Sequence, residues 1–181
     1  MRARRFVTQY NSVYLVLIVV CVAAFINTPA FFALDNVNTM LWQASALGVV
    51  TMGTIFVIAT GCVDLSVAAT LQLSIGIFML FVKRLGEGAL PWGILASLAF
   101  GVGIGVVNGI IVTRYRVQSF LATLFTAAIL GGLMRLAIGV TPMGVPPAVL
   151  VNTIKGSLVG GVSNSVLIFA VVALVVSRTL I

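Results

Sequence analysis

Charge is scarce in this sequence, and the scarcity decides the first question. Only 7% of the 181 residues are Asp, Glu, Lys or Arg, 61% are hydrophobic, and the mean hydropathy is +1.27. A water-soluble domain needs roughly a quarter of its residues charged to cover its surface. The solvent for this chain is therefore lipid. Histidine is absent, which excludes a His-based metal site, a catalytic triad and a histidine proton shuttle. The three acids, Asp35, Asp64 and Glu87, stand too far apart in sequence to suggest a carboxylate pair. No G-x-x-x-x-G-K-[ST] loop occurs, so ATP hydrolysis by that route is not expected. There is no N-x-Ser/Thr glycosylation acceptor. No catalytic residue, cofactor or metal is expected.

Cysteine is nearly as scarce. Cys21 and Cys62 lie in or beside apolar runs, far apart, and read as free, small, buried side chains rather than a disulfide. The 10 Lys and Arg residues give a net charge of +7. They occur singly or in small groups at the ends of apolar runs, as cations do at a cytoplasmic membrane face. No basic stripe with interleaved aromatics is present, so nucleic-acid binding is not expected. The N-terminal arginines followed by Val13 to Ile26 could pass for a signal peptide. Asn27-Thr28-Pro29-Ala30 supplies no A-x-A cleavage site, so an uncleaved first span is the preferred reading.

A bilayer core about 30 Å thick needs roughly 20 apolar residues in a helix. Six candidate spans follow, over about Ser12–Thr28, Leu41–Thr60, Leu65–Arg84, Leu90–Thr113, Val117–Val140 and Gly160–Val176. Pro91 suits the first turn of the fourth. Pro142, Gly144, Pro146 and Pro147 end the fifth, and Ser163-Asn164-Ser165 interrupts the sixth. With both termini cytoplasmic, Arg2, Arg4, Arg5, Arg114, Arg116 and Arg178 lie inside, and Lys83, Arg84 and Lys155 outside, six against three. The expected fold is all-α, a single polytopic bundle over residues 1–181. Arg135 sits within the fifth span, about 8 Å from its outer end. It either snorkels to the interface or faces a translocation path.

Two features carry more information. Gly93, Ser97, Gly101, Gly105 and Gly109 recur at every fourth residue of the fourth span, with Gly103 beside them. Interior glycines cost about 1 kcal/mol each relative to alanine in water, and close helix approach is the usual compensation in a membrane. Tight packing of this stripe is therefore expected, and with it a loss of stability in Gly105→Leu. A dinucleotide reading of Gly101-x-Gly103-x-Gly105 fails for want of a preceding strand. The second feature is Thr60-Gly61-Cys62-Val63-Asp64-Leu65-Ser66-Val67 between spans two and three. Gly61 can end one helix, and Asp64 or Ser66 can cap the next.

Residues Thr54 to Val67, Thr54-Ile55-Phe56-Val57-Ile58-Ala59-Thr60-Gly61-Cys62-Val63-Asp64-Leu65-Ser66-Val67, resemble the T-x-V-I-x-T-G-G-I-D-L-S-V-G stretch of ribose-type bacterial ABC permeases. Gly105-x-x-Asn108-Gly109-x-x-Val112-Thr113 resembles their G-x-x-N-G-x-L-V-T stretch. Phe120-Leu121-Ala122-Thr123-Leu124 resembles P-x-F-I-A-T-L. The resemblance covers about Leu41 to Thr141. Cys62 and Ala68 replace family glycines, Gln118 or Ser119 stands where proline is usual, Phe125 replaces a glycine, and the usual arginine falls at Gly131. It implies a multi-pass permease of the bacterial inner membrane that pairs with a second permease chain and cytoplasmic ATPases. A periplasmic binding protein would deliver a sugar or related solute. By the resemblance, Gly61, Asp64, Leu65, Ser66, Asn108, Gly109 and Thr123 belong to a helix junction, the pathway or packing. It also implies that the ATPase-docking loop and further spans lie beyond Ile181, so that this chain alone would not transport. A branched-chain amino-acid permease and a non-transporting membrane scaffold are the rival readings, and the G-I-D-L-S-type junction favours the sugar branch over the first.

Overall fold

Helix is the form that satisfies every backbone group within one segment, as lipid requires. In the computed structural model, residues 2–138, 144–156 and 163–179 are described, the side chains of 2–12, 29 and 138 excepted. The elements are α1 (Arg2–Asn27), a 3-10 turn (Pro29–Phe32), α2 (Leu34–Ala59), α3 (Val67–Leu85), a second 3-10 turn (Glu87–Ala89), α4 (Leu90–Thr113), α5 (Ser119–Ile138), α6 (Ala148–Lys155) and α7 (Asn164–Thr179). No strand occurs among the described residues. The helical class expected from the sequence is thus the one observed.

Four of the six expected spans are long and apolar enough to cross a membrane: Leu34–Ala59, Val67–Leu85, Glu87–Thr113 and Ser119–Ala137. The apolar parts of the first and last are shorter, Val13–Asn27 and Asn164–Thr179. Two boundaries moved for physical reasons. The second span starts at Leu34 rather than Leu41, because Asp35, Asn36, Asn38 and Thr39 hide a helical start from any hydropathy window. Asp35 in the first turn complements the helix dipole, and the Asn36 amide donates to the Phe31 carbonyl at 2.6 Å. In the last span, Ser163-Asn164-Ser165 opens the helix instead of interrupting it. The Ser163 hydroxyl donates to the Ile154 carbonyl at 2.8 Å, and the Asn164 amide to the Thr153 carbonyl at 2.7 Å, which clasps α7 to the short α6. The expected ends at Val140 and Gly160, and Pro142, lie outside the described residues.

Helices α3, α4 and α5 pack together, with Leu73, Ala122 and Leu130 buried among them. Helix α2 packs instead on α7, where the Phe169 ring lies 2.5 Å from where a Cβ on Gly48 would be. The contacts of α1 go to the first 3-10 turn, with the Phe25 and Phe32 rings 5.8 Å apart and tilted at 53°. From Val13 to Val20 every side chain of α1 is exposed, the outward face that lipid would cover.

Candidate functional site: a polar node joining three helices

The node begins with the end of α2. Gly61 has φ +75°, a left-handed conformation that costs glycine nothing. The Cys62 N–H donates to the Val57 carbonyl at 3.2 Å and the Gly61 N–H to the Ile58 carbonyl at 2.9 Å, the paired bonds that close a helix at such a glycine. The chain then runs extended to Ser66 before α3 starts. A non-helical stretch inside a bundle must find partners for its backbone groups, and here it finds them on other helices. The Val63 N–H donates to the Ser119 hydroxyl at 3.2 Å, and the Leu65 N–H to the Thr123 hydroxyl at 3.1 Å. Thr123, itself buried, donates its hydroxyl to the Ser119 carbonyl at 2.9 Å.

Asp64 and Ser66 divide the capping work differently from the expectation that one of them caps α3 directly. One carboxylate oxygen of Asp64 accepts from the Ser66 N–H at 2.7 Å and from the Ser66 hydroxyl at 2.6 Å. Ser66 makes no side-chain cap bond to α3. It is 1% exposed, and its oxygen accepts from the Asn108 amide of α4 at 2.9 Å. The Asn108 carbonyl oxygen in turn accepts from the Thr126 hydroxyl of α5 at 2.6 Å. A relay of Asp64, Ser66, Asn108 and Thr126 therefore crosses from the junction through α4 to α5. Buried amides and hydroxyls in such a chain fix the helices' mutual rotation, since any slip strands a polar group in an apolar interior.

Asp64, Ser66, Asn108 and Thr123 thus come together, although 59 positions separate the first from the last. Gly61 and Leu65 stand in the same junction. Ser119 and Thr126 were missed as partners. Their signal was available: a buried Asn in a membrane helix needs a donor and an acceptor, and Thr123 and Thr126 present hydroxyls three residues apart on the next span. Arg135 stands outside the node, exposed in the last turn of α5, nine residues beyond Thr126.

The glycine stripe divides within this chain. A helix advances about 100° per residue, so each step of four drifts about 40° round the axis. From Gly93 to Gly109 the drift totals about 160°, nearly the opposite side. Accordingly a Cβ on Gly93 would stand 3.0 Å from the Phe78 ring and 3.3 Å from the Phe81 Cβ of α3, and the Ser97 hydroxyl reaches the Ser74 carbonyl at 2.9 Å. A Cβ on Gly101, Gly103, Gly105 or Gly109 would meet nothing within 4 Å. A less exposed line on α4 runs through Gly93, Ser97, Phe100, Ile104, Asn108 and Ile111, in steps of three and four.

A membrane-embedded helical unit, held by internal polar contacts, is the class these features define. The chain belongs to the family described as branched-chain amino acid transport system / permease component, whose model matches residues 36–181. It is 33% identical over 129 residues to a ribose import permease protein of Haemophilus influenzae, a match covering 71% of this chain and 39% of that protein. The ribose import permease protein of Escherichia coli K12 is likewise 33% identical, over 68% of this chain and 38% of the relative. A galactose/methyl galactoside import permease protein of H. influenzae is 29% identical over 75% and 44%. The chain therefore spans about two fifths of the length of the curated relatives it matches. No solved structure matches it.

Proposed function

We propose that the chain is the membrane-spanning permease part of a binding-protein-dependent ABC importer of the bacterial inner membrane, with a sugar as its solute. One observation carries the reading: the three stretches that resemble sugar permeases meet in a single hydrogen-bonded node. The printed functions of the relatives, ribose and galactose import, support the same branch. The family description names amino acids, but the sugar relatives favour a neutral polyol over that solute.

In this reading both termini are cytoplasmic and the chain works beside a second permease chain. A cytoplasmic ATPase supplies the energy, and a periplasmic binding protein supplies the solute. The node keeps α3, α4 and α5 one rigid body, so that a displacement imposed at the cytoplasmic end is transmitted along all three. Selectivity resides mainly in the binding protein. The test is co-purification with the cognate ATPase and binding protein from the native membrane, joined to side-specific labelling. Cysteines introduced at Arg114 and Glu87, in a background without Cys21 and Cys62, label from opposite sides of the membrane. Labelling of both from outside in intact cells, or absence of any associated ATPase, would overturn the reading.

A further inference from the structure

The first turns of α2 place Asp35, Asn38, Thr39 and Trp42 at the i, i+3, i+4, i+7 positions of one helix face. Lower on this helix Gly48 receives Phe169 of α7. Above that contact the seam opens into a cavity of about 280 Å³, lined by these four residues with Lys155 at the end of α6 and Ser163 at the start of α7. The Lys155 ammonium stands 4.5 Å from the centre of the Trp42 ring. Among the described residues, the Asp35 carboxylate, the Asn38 amide and the Trp42 indole N–H have no hydrogen-bond partner or counter-ion. Ser163 is buried and already bonded to Ile154 and Ser165. The cavity therefore has one wall bonded within the chain and one open wall, on which Asp35 and Thr39 are exposed and Asn38 and Trp42 half-buried.

We infer that this cavity is a contact site for a neutral monosaccharide, an inference that rests on the importer reading and places its outer solute contact. The volume lies just below the range of about 300–1,000 Å³ typical of small-molecule pockets, so it suits a single ring at most. An aromatic flank matches the apolar C–H face of a sugar, and an acceptor carboxylate, a two-way amide and a hydroxyl match its hydroxyls. The charges of Asp35 and Lys155 cancel, so the lining gives no net attraction to an anion or a cation; a zwitterion could pair with both, which is why leucine is the control. With the N-terminus cytoplasmic, the cavity opens on the outer side, where solute arrives. Interfacial anchoring explains a Trp and a Lys at this depth, but it gives no reason for Asn38 to face the same space unpartnered.

Trp42 is a built-in reporter, because the only other tryptophan is Trp92, which is 66% exposed on α4. The experiment uses the full chain carrying Trp92→Phe in lipid nanodiscs and follows Trp42 emission during titration with ribose, galactose and, separately, leucine. A saturable change with the two sugars, at a midpoint on the order of millimolar, is expected, with no saturation by leucine. Asn38→Ala and Asp35→Asn each raise the sugar midpoint about tenfold, with thermal unfolding unchanged in Asn38→Ala and lowered only slightly in Asp35→Asn, which loses its charge at the α2 dipole. A linear, non-saturating response to both sugars, or saturation by leucine alone, overturns the inference. Co-purification of the ATPase with no saturable sugar response sinks the cavity alone. Saturable binding with no associated ATPase sinks the importer reading and leaves the cavity.

Discussion

Gly93 and Gly105 sit on the same helix, in the same repeat, twelve residues and about 18 Å apart, and they meet opposite fates. Gly93 is buried against Phe78 and Phe81 of α3, whereas Gly105 faces open space. From Gly93 the line of contacts passes through Ser97 and on, beyond Gly105, to Asn108, which ties α3 to α5 through Ser66 and Thr126. The contrast teaches that a small residue in a membrane helix is informative only with its angle and its neighbour. One glycine is where a ring approaches. The other is free on the surface of this chain, available to lipid or to another helix.

The contrast breaks first at Gly93. Gly93→Leu forces its branched side chain into two phenylalanines of α3 and should cost about 3 kcal/mol, the upper part of the overpacking range, read by unfolding titration in mixed micelles. A cost below about 1 kcal/mol would mean that α3 and α4 do not approach as closely as they do here. Next comes the other end of the buried line. Asn108→Leu removes the donor to Ser66 and the acceptor of Thr126, two bonds that in membranes are worth up to about 1.7 kcal/mol each and on average about 0.6. A loss of about 1–2 kcal/mol is expected, together with faster hydrogen exchange at the Ser66 amide as the junction loosens. Exchange at Ser66 matching that of the parent would show that the relay does not hold the junction.

Smaller effects sharpen the same picture. Thr126→Val leaves the Asn108 oxygen without its 2.6 Å donor and should cost about 1 kcal/mol. In the double variant with Asn108→Leu the two losses should fall short of their sum, because they share that bond. Full additivity would separate the two residues. The smallest effect belongs to Gly105→Leu, in place of the destabilisation that the four-residue repeat suggested. With no atom to displace and a better helix former in place, this chain should keep its stability or gain up to about 1 kcal/mol. A loss larger than that, in the isolated chain, would mean that its open face is occupied.

Much of the node was legible before any coordinates. Gly61 announced a helix end, Asp64 and Ser66 announced a helix start, and Asn108 and Thr123 were picked out by resemblance to family motifs. Their convergence was not legible, since residues 64, 108 and 123 belong to three segments and hydropathy carries no information about which segments touch. Within this chain the stripe on α4 divides: Gly93 and Ser97 meet α3, whereas Gly101, Gly105 and Gly109 do not. With 3.6 residues per turn, five positions four apart spread about 160° round the helix, so one neighbour does not cover them all. The cavity at the mouth of α2 was hidden differently: Asp35, Asn38 and Thr39 lowered the local hydropathy enough to place the helix start at Leu41.

What the sequence determined by itself is the solvent and the local form. Scarce charge requires lipid, apolar runs of about 20 residues match membrane-spanning helices, and Gly61 supplies the residue type that a left-handed helix end favours. What only the tertiary structure decided is the rotation of each helix about its own axis, and therefore which small or polar residue meets a partner. The physical reason is that the apolar surface of a membrane helix is nearly uniform to lipid. The angle is then fixed by a few specific contacts, Phe78 on Gly93, Asn108 on Ser66 and Phe169 on Gly48, each between residues distant in the chain.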